Sequence, residues 1–112
     1  MTVEESLQPM FSLLLQLPAP VRDKMVGMYR DSLASQLAEL GQVLEAGDAA
    51  AMQAVAHKLA GAAAMMQDRE LSQAARSMEI ALTGYHAETA IEAWPRIQAR
   101  ARITLDALHP AA

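Results

Sequence analysis

The chain has 112 residues, 53% of them hydrophobic and 20% charged, with a formal net charge of −4 and no cysteine. This is the length of one ordinary domain with enough apolar material for a core. It excludes a disulfide framework and thiol chemistry, and the mild acidity argues against a nucleic-acid binder, whose surface must be basic.

Abundant alanine, eight methionines and only four aromatics (Phe11, Tyr29, Tyr85, Trp94) favour helices over strands. No apolar run approaches the ~20 residues that cross a bilayer. The acidic start MTVEESLQ lacks the basic region of an export signal, so a cytoplasmic protein is expected.

The first predicted helix spans about Val3 to Gln16 and ends at LPAP, where Pro18 and Pro20 prevent continuation. Pro20 suits the first turn of the next helix, predicted from about Val21 to Ala46. Its apolar stripe is read as Val21, Met25, Met28, Leu33, Leu37, Leu40 and Leu44. Gly27 and Gly41 inside it each cost about 1 kcal/mol relative to alanine, which points to a packing reason or a bend. In AGDAA, Gly47 is expected at the left-handed C′ position and Asp48 at the N-cap of a third helix, about Ala49 to Met66. Asp68 is then a candidate N-cap for a fourth helix from Arg69 to Thr83, with Glu70 suited to its positive first turn. This helix is expected to bury Leu71, Ala74, Ala75, Met78 and Leu82 and to stop at Gly84. The last segment, Ala87 to Leu108, puts Ala90, Trp94, Ile97, Ala101, Leu105 and Leu108 on one stripe, and Pro95 in its interior should kink or split it. The expected fold is all-α: an antiparallel four-helix bundle over residues 20–108 with a short N-terminal capping helix within 1–18, together one domain over 1–112.

The third helix carries the most informative pattern. At roughly 100° per residue, Met52, Val55, Ala56, Leu59, Ala63 and Met66 form its core face. His57 points away from that face. Ala50, Ala54, Gly61 and Ala64 lie on its side, where a solvated helix would carry Glu, Lys and Gln. In one reading the helix is apolar all round and His57 is a core histidine. Four helices in 112 residues hardly supply the extra layer this needs. In the other, the small residues are exposed and suit the close approach of a partner, with mid-helix Gly61 clearing space beside His57.

AHKLAGAA, from Ala56 to Ala63, resembles the His-x-Leu-x-Gly signature of histidine-containing phosphotransfer (HPt) domains. The likeness covers roughly Val21 to Leu82: a leucine-rich helix, a Gly-Asp turn nine residues before the histidine, the histidine helix, and a further helix ending in an apolar-Glu pair, Met78-Glu79. Ala60 stands where the family often has lysine, Ala62 where it often has a small hydroxyl residue, and Gln67 where it often has glycine. The resemblance implies that His57 accepts a phosphoryl group from an aspartyl phosphate on a receiver domain and returns it to another receiver aspartate. Magnesium would come from the receiver, so the chain itself needs no cofactor. The partners implied are response-regulator receiver domains or a hybrid sensor kinase, met as a monomer. Ala50, Ala54, Gly61 and Ala64 would form the docking face, and Lys58 is either an electrostatic helper or a solvated residue.

Other constellations are weaker. His86 and His109 do not pair with His57 at helical spacing, so no metal site is expected. No glycine pattern suits ATP. Arg96, Arg100 and Arg102 make the last segment basic, read as a solvated face or as a docking patch for an acidic receiver. The alternative function is an interaction module of the same fold that no longer carries phosphate. The dimerising histidine domain of a sensor kinase is disfavoured, because Lys58 follows the histidine where such domains have an acidic residue.

Overall fold

Where helices start and stop follows local chemistry. The computed structural model describes residues 2–108, which form six helices: α1 (Val3–Leu15), α2 (Ala19–Ala46), α3 (Ala49–Met65), α4 (Arg69–Thr83), α5 (Ala87–Glu92) and α6 (Trp94–Ala107). The expected last helix is divided at Ala93. Pro95 has no N–H to donate and is tolerated in the first turn of a helix, which is where α6 holds it. His109 and the rest of the tail lie outside the described residues.

Two caps form as their residue types require. Thr2 Oγ1 accepts from the Glu5 N–H (3.1 Å), and Asp48 Oδ1 from the Ala51 N–H (3.0 Å). Helices α2, α3 and α4 all end in one motif, in which a left-handed residue turns the chain back onto the last carbonyls. The bonds are Asp48 N–H to Val43 O (3.2 Å), Asp68 N–H to Ala63 O (2.9 Å) and His86 N–H to Ala81 O (2.8 Å). The left-handed residues are Gly47 (φ 69°), Gln67 (φ 59°) and Tyr85 (φ 61°). Gly47 takes the place expected of it. Gly84 stops α4 as expected, but with φ −85°; the left-handed turn falls one residue later. A Cβ at Gly84 would come 3.0 Å from His86 Cδ2, so this glycine makes room for the imidazole.

Helix α3 lies between α2 and α4, α4 packs on α5 and α6, and α6 returns to α2, closing an all-helical bundle. Fully buried alanines (Ala56, Ala60 and Ala63 on α3, Ala74 and Ala75 on α4) let α3 and α4 approach closely. Leu33, Leu40, Leu59, Leu71, Met78 and Ile97 fill the centre. Helix α1 buries Leu7, Met10 and Leu14 and touches α4.

The stripe expected on α2 is misphased at its start. Val21 and Met28 are exposed, and Tyr29 is buried with Leu33 and Leu40. At 1.5 Å per residue the 28-residue α2 is ~42 Å long, which matches the 43 Å long axis of the molecule. Its shorter neighbours leave its first turns uncovered. The Trp94 ring lies over Gly41, 3.6 Å from where a Cβ would stand. Nothing in the structure explains Gly27.

Asp68 is the N-cap of α4, its carbonyl accepting from the Ser72 N–H (3.0 Å), but its side chain makes no capping bond. It is drawn inward, 1% exposed, and its Oδ2 accepts from Tyr29 Oη (2.9 Å) and Thr104 Oγ1 (2.7 Å). Arg100 stands 3.5 Å from Oδ1 through both Nε and Nη2, and its Nη1 donates to Ser6 Oγ (2.7 Å). This knot ties the α3–α4 turn to α1, α2 and α6. It also removes Arg100 from the basic patch expected on the last segment: Arg100 is buried, while Arg96 and Arg102 are exposed.

Candidate functional site

The α3–α4 hairpin is symmetrical about Asp68. His57 and Glu79 each lie eleven residues from it, on antiparallel helices, and they meet: His57 Nδ1 and Glu79 Oε2 are 2.5 Å apart. One turn further on, Gln53 Nε2 donates to Thr83 Oγ1 (2.9 Å), and in the other direction Ser72 Oγ donates to Ala60 O (3.0 Å). The Thr83 hydroxyl in turn donates to Glu79 O (3.0 Å). The His57–Glu79 and Gln53–Thr83 pairs share one register, each member equally far from Asp68, so the imidazole is held by a carboxylate built into the helix–helix seam.

A carboxylate only accepts, so this contact assigns the hydrogen of His57 to Nδ1. The lone pair is then on Nε2, on the side of the ring away from Glu79. The His57 side chain is 71% exposed, whereas that of Glu79 is only 17% exposed. The carboxylate is a partly sunken floor and the ring stands on it. A ring fixed at one nitrogen and open at the other is arranged for nucleophilic attack through Nε2.

The small residues named from the sequence surround this ring. Ala50, Ala54, Gly61 and Ala64 are all exposed and lie within about 60° of His57 around the helix. A Cβ built on Gly61 meets nothing within 4 Å, so the space beside the ring is open. Lys58 is exposed too, but it lies ~100° round from His57, on the side away from Glu79. Ala60 is wholly buried against α4, which is why no long cation stands at that position.

Sequence reasoning missed the partner of His57. Glu79 entered only as half of an apolar-Glu pair, because a separation of 22 residues leaves no local signal. Counting outward from the Asp68 turn would have found it. Arg76 was missed in the same way; its Nη1 lies 3.9 Å from Glu79 Oε1, and its side chain is 54% exposed. His86 is exposed at the start of α5 and takes no part in the site.

Among the described residues, no helix is long and apolar enough to cross a membrane. No curated protein and no solved structure is significantly similar to the chain. The Hpt domain family matches residues 24–111, all of the bundle except the first turn of α2, and leaves α1 outside. Bundle architecture and family match agree, and the chain belongs to the Hpt domain family, whose members are phosphate carriers in phosphorelays.

Proposed function

We propose that this chain, one Hpt domain across its whole length, is a relay intermediate in which His57 takes a phosphoryl group from a receiver-domain aspartate and passes it to another. The observation that carries this reading is the exposed His57 ring anchored through Nδ1 to Glu79. The Nε2 lone pair attacks phosphorus in line, the N–P bond forms, and the bond from phosphorus to the aspartyl oxygen breaks, its electron pair leaving with the carboxylate. The Nδ1 hydrogen stays in place, so the ring becomes a phosphoimidazolium. Its positive charge lies against Glu79, which stabilises the product and the transition state leading to it. The reverse step restores the neutral ring and loads the second receiver.

Charge stabilisation on the phosphate side falls to the receiver and its magnesium. This chain brings the nucleophile and a face bare enough for a receiver to close over it: Ala50, Ala54, Gly61 and Ala64. The reading assigns it no ATP site, no cofactor and a monomeric state in the cytoplasm.

The experiment is transfer from a phosphorylated receiver. Wild type is expected to take up an acid-labile label, and His57→Gln none. Label retained by His57→Gln, or absent from wild type with every cognate receiver, overturns the reading; the second result leaves an interaction module that binds without carrying phosphate.

A further inference from the structure

The geometry points to Arg76 as the cation that holds the phosphoryl group on His57, a role that rests on the relay reading above. Phosphorylated at Nε2, His57 carries a dianionic group that Glu79, at Nδ1, does nothing to neutralise, and that charge calls for a cation. Position 60 supplies none, because Ala60 is 0% exposed and its carbonyl is bonded to Ser72. Lys58 is on the wrong side of α3. Arg76 satisfies three requirements at once.

First, it is close to the site. Arg76 lies one turn before Glu79 on α4, the neighbouring helix that already reaches His57. Second, it is already coupled to the pair. Arg76 Nη1 stands 3.9 Å from Glu79 Oε1, while Glu79 Oε2 holds His57. That distance is too long for a hydrogen bond, and a side chain 54% exposed is free to swing. Third, its chemistry fits. The His57 ring is 71% exposed, and a guanidinium is charged at every relevant pH and forks onto phosphate oxygens. In the resting protein Arg76 waits on Glu79. In the phosphorylated protein it reaches the phosphoryl oxygens.

The test is the partition of phosphate between this protein and a receiver at equilibrium. Docking contacts speed both directions alike and cancel from the partition, so it reports only how well His57 holds the group. Arg76→Ala is expected to shift the partition toward the receiver by roughly three- to ten-fold, the size of a screened charge contact near a surface. Arg76→Lys should restore most of it, and raising the salt concentration should shrink the difference between wild type and Arg76→Ala. Circular dichroism should show all variants equally helical. Equal partition for wild type and Arg76→Ala overturns the proposal, as does a shift appearing in Lys58→Ala instead. Phosphoramidate, which labels histidine without a receiver, separates this from failure of the relay reading. If wild type takes no label from either donor, both fall; if it is labelled and the partitions are equal, only Arg76 falls.

Discussion

Two carboxylates organise this molecule, and they are used in opposite ways. Asp68 is 1% exposed and surrounded by Tyr29, Thr104 and Arg100, so that each of its oxygens faces a donor. Glu79 is partly sunken but holds a histidine that is 71% exposed. In the first case burial is complete and every partner is spent on the fold; a buried charge is tolerated only on those terms. In the second, one nitrogen of the partner is occupied and the other is left to solvent. Fixing half of a ring and baring the rest makes a site, and fixing everything makes a clamp.

The comparison breaks most sharply by removing each carboxylate. Asp68→Ala leaves Arg100 buried without its counter-charge and strands two hydroxyl groups. It is expected to cost about 3 kcal/mol or more, read as a Tm roughly 10 °C lower or as loss of folding. Glu79→Ala removes a contact at the surface and should move Tm by only a few degrees, while slowing transfer by roughly ten-fold or more through the lost ring orientation and charge. Equal thermal losses for the two variants would erase the distinction between clamp and site.

Tyr29 sharpens the clamp side. Burial, reinforced by the Asp68 carboxylate, raises its phenol far above the ordinary value of 10.0. A proton held more tightly by the folded state stabilises the fold fully below the unfolded pKa and progressively less above it. Stability should therefore fall as pH rises past about 10, with a slope of up to ~1.4 kcal/mol per pH unit from this group. Tyr29→Phe should lower stability near neutrality by about 1–2 kcal/mol, for the lost hydrogen bond, and remove that alkaline slope. Denaturant titrations at several pH values check both, and an unchanged slope would exclude Tyr29 as its source.

The smallest effect expected is on the site side. Gly61→Ala places a methyl group where nothing lies within 4 Å, so the isolated protein should gain about 1 kcal/mol of stability. Transfer should nevertheless slow under the proposed docking, in which a receiver closes over that space. A variant that is more stable and transfers as fast as wild type would show that Gly61 clears nothing.

Most of the fold is legible in the sequence because the signals are local. Prolines at 18, 20 and 95, the Gly47-Asp48 pair and the apolar spacing of α3 and α4 act within a turn or two of themselves, and the helices begin and end close to where those residues dictate. What the sequence did not show lay where a local rule had a distant competitor. Asp68 is the N-cap of α4 as expected, but its carboxylate is taken by Tyr29, Thr104 and Arg100, which offer a buried carboxylate more than one amide does.

For the candidate site, the exposed phase of His57 and the bareness of Ala50, Ala54, Gly61 and Ala64 follow from helical periodicity alone. The sequence by itself determined that a histidine would stand on an open helix face, because the core residues of α3 admit one orientation. Only the tertiary structure decided which groups would serve it. Glu79 reaches His57, and Arg76 stands beside Glu79, through the register of an antiparallel hairpin, and that register is set by how two alanine-faced helices close on each other.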